Sequence, residues 1–483
     1  MQFAREAQRL VIGFTVLFVL VAIVAAYWVI TGPETILTRD DNGRLFAAES
    51  AIRRGAIYDR HGEPLVNSVV DAGNVVSRIY LHPETFGVTG YYSLQYGVGG
   101  AEAAFDEVLR GDDLNPASFD RYWSQNILHN DQQGSEIRLT IDTATQARIV
   151  EAMNGVSGGA VVISVPDGEI IALVSLPTFD PNTLDENWDE LALAEEKPFF
   201  NRVLQANYQP GGIFQLVLMA AARPNNIPLT FSFDDANRAI PIDGSSIACL
   251  RPMPSANTTL QEAFLSGCAA PFVEVANQLG EDKIMQTIGS LFPALPITLD
   301  NFVDDTPTNL PELSQSIFLY PTLPVPNEAT YVENALGQGE TNITVISIAE
   351  ISAAILNNGN APQPQMLQAI RPPDEEDWQN VTTATQTIPL MTSATAQQLL
   401  SLMIESGSDG TAQSAAQGDE TIGGHAAIAL SGEQTLSWFT GFIMTDTRRG
   451  YAVALVLEDT DDYALAAEIG GIALRSAAEI TDD

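Results

Sequence analysis

The chain has 483 residues, of which 45% are hydrophobic and 17% charged, the values of a globular protein long enough for two or three domains. Sixty-one acidic residues against 22 basic ones leave a formal net charge of −39. That balance excludes the basic footprint of a nucleic-acid binder, and it excludes an anionic membrane surface as partner of the soluble part.

Residues 10–31 form one uncharged run of 22. As a helix it would be roughly 33 Å long, enough to cross a bilayer. Arg5 and Arg9 precede it, and Arg39 is the next basic residue. The positive-inside rule makes residues 1–9 a cytoplasmic tail and places everything after the run outside. Tyr27 and Trp28 suit the outer interface. The alternative is a signal peptide cleaved near Val24-Ala25-Ala26. The run is long for that, so an uncleaved single-pass anchor in the plasma membrane is the expectation.

Next comes Arg54-Gly55-Ala56-Ile57-Tyr58-Asp59-Arg60-His61-Gly62, in which His61-Gly62 reads as a turn between two extended segments. An apolar-free stretch at residues 131–135 marks a boundary. It predicts a β-rich unit over 32–135 and a larger one over 136–483. A helix is expected over 143–153. A β-branched run at 159–164, the turn Pro166-Asp167-Gly168 and a second run at 169–175 read as a hairpin. Strands are expected at 438–443 and 451–457, and a last apolar helix at 463–478. This order of elements predicts an α+β fold, with an antiparallel sheet packed between helices.

The segment Arg54 to Leu65, with its Arg-Gly-x-Ile-x-Asp-Arg-x-Gly pattern, resembles the opening of the extracytoplasmic part of class B penicillin-binding proteins. Arg78-Ile79-Tyr80, Gly90-Tyr91-Tyr92, Tyr96-Gly97 and Ala101-Glu102 resemble their pedestal domain, in its shorter actinobacterial A type. Ser175-Leu176-Pro177-Thr178-Phe179-Asp180-Pro181-Asn182 resembles a segment near the start of their transpeptidase domain. On this resemblance 32–135 is a pedestal, and 136–483 is a domain of peptidoglycan D,D-transpeptidases.

The resemblance also implies where the chemistry should be, and there the chain departs from the pattern. The family acylates a serine in Ser-x-x-Lys and uses Ser-x-Asn and Lys-Thr-Gly to relay protons and hold substrate. In Tyr208-Gln209-Pro210-Gly211-Gly212-Ile213-Phe214-Gln215, the serine position holds Gly212 and the lysine position Gln215. Glycine has no nucleophile, and glutamine takes up no proton near neutral pH. The chain has two lysines, Lys197 and Lys283, and three residues before them stand Ala194 and Gly280, so no other register supplies the pair. The second motif aligns with Ser266-Gly267-Cys268 and the third with His425-Ala426-Ala427. Gly337-Gln338-Gly339-Glu340 matches the family's Gly-Gln-Gly segment.

The expectation is therefore a degenerate transpeptidase, acting without catalysis in wall synthesis or cell division through protein partners. Two rival readings stay open. One is a sensor that still holds a wall stem peptide in the old cleft. The other is residual transferase or hydrolase chemistry through Cys268 and His425, which the resemblance places on one cleft. Cys249 and Cys268 are the only cysteines, and on the exported side they are free to form a disulfide. Bonding and reactivity exclude each other, and the sequence does not choose between them. Histidines at 61, 82, 129 and 425 are too scattered for a metal set, so neither metal nor cofactor is expected.

Overall fold

The computed structural model describes residues 2–32, 49–70, 76–112, 132–242, 244–253, 257–292, 331–339, 341–373, 375–381, 387–432, 434–445 and 449–480. Arg39, His129 and Glu340, named above, lie outside them. The first element, α1 (Gln2–Gly32), is a helix of 31 residues that takes in the whole uncharged run. Its side chains are described only at 9–25 and 27. Leu10, Phe14, Leu17 and Phe18 stand exposed on it. Among the described residues no helix is long and apolar enough to cross a membrane. The span expected over 10–31 is thus present as a helix and not established as a membrane crossing.

Two sheets follow. In the smaller unit, β1 (Ile57–Tyr58), β2 (Pro64–Val70) and β3 (Val76–Tyr80) form an antiparallel meander. A short hairpin, β4 (Tyr91–Ser93) with β5 (Gly97–Gly99), leads to a helical turn, α2 (Asp106–Arg110). The chain then returns as β6 (Glu136–Leu139), parallel to β1.

The larger unit opens on helix α3 (Thr143–Met153), which Asp142 caps by accepting from the Thr145 amide. The hairpin β7 (Gly158–Val165) and β8 (Ile170–Leu176) follows, then α4 (Leu184–Leu193). A buried helix, α5 (Gln215–Ala222), a small hairpin of β9 (Ile240–Ile242) and β10 (Ser245–Ile247), and helices α6 (Leu260–Leu265), α7 (Ala269–Leu279) and α8 (Val345–Leu356) form the middle. Then come β11 (Leu367–Arg371), β12 (Gln379–Asn380), α9 (Ser393–Asp409), β13 (Thr421–Ser431), β14 (Gln434–Met444), β15 (Gly450–Leu457) and α10 (Tyr463–Ala478).

The large sheet runs β13-β14-β15-β7-β8, antiparallel throughout. Side chains on successive residues point to opposite faces. Val161 and Ile163 accordingly join the core under α8, while Ala160 and Val162 join the core under α3 and α10. Covered on both faces, β7 and β15 are buried at every residue, which is why they read as continuous apolar runs. Gly470 in α10 lets that helix sit on the sheet, since a Cβ there would lie 2.0 Å from Phe439.

The other sheet runs across the expected boundary at 135. Its order is β12-β11-β6-β1-β2-β3, so strands from beyond residue 366 complete a sheet begun at residue 57. The Arg-Gly and Asp-Arg pairs serve this junction. A Cβ on Gly55 would lie 1.8 Å from the Ser135 carbonyl oxygen, so only hydrogen fits there. Arg54 reaches Glu102 at 2.8 Å and Asp106 at 2.5 Å, and Arg78 reaches Glu102 at 2.6 Å. Asp59 accepts from the amides of His61 and Glu63, closing the turn, and also from the Thr143 hydroxyl.

Candidate functional site

The candidate cleft lies where β13, the edge strand of the large sheet, meets the turn before α5. Pro210 ends the preceding segment, and residues 211–214 make one tight turn that feeds the buried helix Gln215–Ala222. Gly211 sits at φ +52°, and a Cβ on it would lie 2.2 Å from the Ile428 carbonyl oxygen. Its amide donates to the Gly337 carbonyl at 2.7 Å. The Gln338 side-chain oxygen accepts from the Leu430 amide at 3.1 Å. The Gly-Gln-Gly segment thus clamps the turn against the strand, a role its glycines hinted at and its glutamine did not.

Gly212 faces β13. A Cβ built there would lie 2.9 Å from the Ala427 methyl carbon, closer than real Cβ contacts come. The methyl at 427 therefore occupies space a side chain at 212 would need. Two departures from the family pattern fit each other across the cleft.

His425 is fully buried and stacks on Phe264, with ring centroids 4.3 Å apart. Its Nε2 lies 3.3 Å from the Gly212 carbonyl oxygen, which can only accept. Nε2 therefore carries the proton, and Nδ1 accepts from the Thr411 hydroxyl at 3.3 Å. The Ala426 amide in turn donates to that hydroxyl at 3.1 Å. Burial lowers the imidazole pKa to about 4, against a smaller upward pull from the Gly212 carbonyl. At neutral pH the ring is uncharged and both nitrogens are engaged. Nothing in the local sequence marks Thr411 or Phe264 as its partners.

Gln215 points its amide nitrogen at the Cys268 carbonyl, 3.3 Å away, and its buried side-chain oxygen has no partner among the described residues. The Ser266 hydroxyl lies 2.6 Å from the Met253 sulfur and is nearly buried. Cys268 is buried and bonded to Cys249, a pair separated by 19 positions. The sulfur has no thiolate to offer, and the imidazole holds Gly212 and Thr411. The disulfide also staples the β9–β10 hairpin to the start of α7, so that Ile247 and Leu250 roof the space above Gly212, Gln215 and Ala427. What remains there is a cavity of about 20 Å³, room for roughly one water.

The seven positions expected to form the degenerate site fall on adjoining elements. Gly212, Gln215 and Ala427 line the residual cavity. Cys268 reaches it through Gln215, and His425 and Ala426 through Gly212 and Thr411. Ser266 faces Met253 instead. Among the described residues no group of histidine, cysteine and carboxylate side chains is arranged to hold a metal.

Comparison with known proteins matches residues 158–475 to the penicillin binding protein transpeptidase domain, and residues 54–137 to the penicillin binding protein A dimerisation domain. The chain is 28% identical to the peptidoglycan D,D-transpeptidase PbpA of Mycolicibacterium smegmatis, over 97% of this chain and 98% of that one. It is 30% identical to PbpA of Mycobacterium tuberculosis, over 69% of this chain and 68% of the other. The fold superposes on penicillin-binding protein A from M. tuberculosis, in its imipenem acyl-enzyme complex, with a TM-score of 0.76 at 26% identity. That match covers 89% of this chain and 99% of the solved one.

Proposed function

The chain belongs to the penicillin-binding protein transpeptidase family, whose work is peptidoglycan synthesis, and from that premise we propose that it is a member without catalysis, acting through protein partners in wall synthesis or division. The observation that carries this reading is the lack of room at Gly212, where an added Cβ would lie 2.9 Å from the Ala427 methyl carbon. Where the family keeps a nucleophile there is no side chain, and the space beside it is taken. The neutral His425 and Gln215 supply no cation to activate a nucleophile or to grip a substrate carboxylate. A cavity of about 20 Å³ is far below the 300–1,000 Å³ usual for ligand sites, which weighs against a stem-peptide sensor in the old cleft. The Cys249–Cys268 bond weighs against chemistry through Cys268.

In this reading residues 1–9 are a cytoplasmic tail and 10–31 a membrane anchor. The segments 32–135 and 136–483 are the extracytoplasmic pedestal and the degenerate transpeptidase unit. The uncharged run and the flanking arginines support that topology.

Intact-mass spectrometry after exposure to penicillin or imipenem tests the loss of catalysis. The expected result is no added mass under conditions that acylate an active relative. A stoichiometric adduct overturns the proposal. Cell fractionation tests the anchor, and mature protein beginning near Tyr27 in the soluble fraction would sink it.

A further inference from the structure

The binding capacity missing from the old cleft is found elsewhere. Between the hairpin unit and the large domain lies a groove of about 690 Å³, within the range of sites that hold a ligand or an anchoring side chain. One wall comes from residues 86–108, the other from Leu173, Phe179, Phe199, Leu204 and Met366. Its aromatic floor is braced: Phe179 and Phe199 meet at 4.7 Å between centroids, and Tyr91 lies 5.8 Å from the first and 5.7 Å from the second. Phe200 stands 38% exposed at the rim.

The charge among the groove's lining residues is one-signed. Asp106 and Glu107 both line the groove. Asp106 is paired with Arg54. The Glu107 carboxylate has no hydrogen-bond or ion-pair partner among the described residues. Its pKa is raised, by burial first and then by Asp112 and Asp106. Alongside runs α4, whose Trp188 packs on Tyr91 and Phe199 while Glu186, Asp189 and Glu190 point to solvent. A cation brought to this rim would relieve repulsion that the folded chain leaves standing.

We propose that this groove docks a basic segment of a protein partner, seating an aromatic or leucine side chain on the Phe179–Phe199 floor with a flanking lysine or arginine against Glu107. A second copy of the chain is the rival occupant, raised by the dimerisation-domain match over 54–137, and the acidic rim weighs against it. A second copy brings its own net charge of −39 and sets like charges across the rim. The proposal builds on the partner-based reading above but not on the loss of catalysis, since an acylatable cleft would leave it standing.

The test uses the full chain in detergent as bait for a displayed library of short random peptides. Selected peptides should carry an aromatic or leucine anchor beside lysine or arginine. A labelled selected peptide should bind more weakly as salt rises. Glu107→Lys and Phe200→Ser should each weaken it by about tenfold or more, hot-spot behaviour for an anchor and its charge partner. Both side chains are partly solvent-facing, and unchanged thermal melting shows that the variants fold. Failure to enrich any peptide above the bare-support control overturns the proposal. So does enrichment of peptides without net positive charge, or affinity unmoved by both variants. Variants that alter self-association of the chain and leave peptide binding intact would assign the groove to a second copy, and would equally overturn it.

Discussion

The Arg54 junction and the old cleft both carry motif-bearing segments, and they handle polarity in opposite ways. At the junction, Arg54, Arg78 and Glu102 are buried against one another as ion pairs, and Asp106 meets Arg54 from a partly exposed position. In the cleft, the two positions that would carry lysine hold glutamine and neutral histidine, and glycine and alanine stand at other motif positions, packed around room for about one water. These charges brace the smaller unit from within, tying residue 54 to β3 and to the 102–106 segment, so removing one leaves its partners stranded. The cleft's residues hold each other by contact, so a charge or a side chain restored there has no vacant place to go.

The largest break in that comparison should come at the junction. Glu102→Ala leaves two buried guanidinium groups without their carboxylate and should cost about 3–5 kcal/mol in denaturant unfolding. A loss below about 1 kcal/mol would mean that water or Asp106 compensates, and the junction would not differ from the cleft as described.

Within the cleft, the staple comes next. Cys268 should resist alkylation in the unreduced protein, and Cys249→Ala with Cys268→Ala should cost roughly 3 kcal/mol for a loop of this size. Rapid labelling of Cys268 without reductant, slowed by His425→Ala, would instead revive the dyad.

The buried imidazole gives a pH dependence of similar size. Its folded pKa of about 4 lies below the ordinary 6.5, so the unfolded chain takes up the proton first. Stability from this group is full above pH 6.5 and is lost as pH falls towards 4, by roughly 3 kcal/mol at 1.36 kcal/mol per pH unit. His425→Gln should flatten that part of the stability profile, and a wild-type profile equally flat would contradict the burial described.

The smallest effect should come from Gln215. Replacing it with methionine removes one hydrogen bond, at 3.3 Å, and also one unpartnered buried oxygen. The net change should stay within about 1 kcal/mol in thermal unfolding. A loss above about 2 kcal/mol would give the amide a role that the cleft as described does not assign.

Much of the large sheet was readable in the sequence. β7 and β15 are uniformly apolar because both faces are covered, and α10 is bounded where its apolar run begins and ends. The seven motif positions were readable as departures from a pattern. Their meaning was not. That the Ala427 methyl stands where a side chain on Gly212 would go depends on a register between residues more than 200 apart. The same limit hid the pairing of β11 with β6, which carries the first sheet across the expected boundary. It also hid the Gln338 clamp, one glutamine among many until Leu430 is found beside it. α9 went unassigned because its serines, threonines and glutamines dilute the apolar stripe of Leu399, Leu402 and Met403.

The central claim is that the cleft has been refilled as well as stripped, and one double-mutant cycle tests it most directly. Gly212→Ser should destabilise the chain by about 1–3 kcal/mol, because its Cβ meets Ala427 at 2.9 Å. Ala427→Gly should restore most of that loss when combined with it, giving a favourable coupling of at least 1 kcal/mol. If Gly212→Ser folds with unchanged stability, or the two changes are simply additive, the space beside Gly212 is open and the account is wrong.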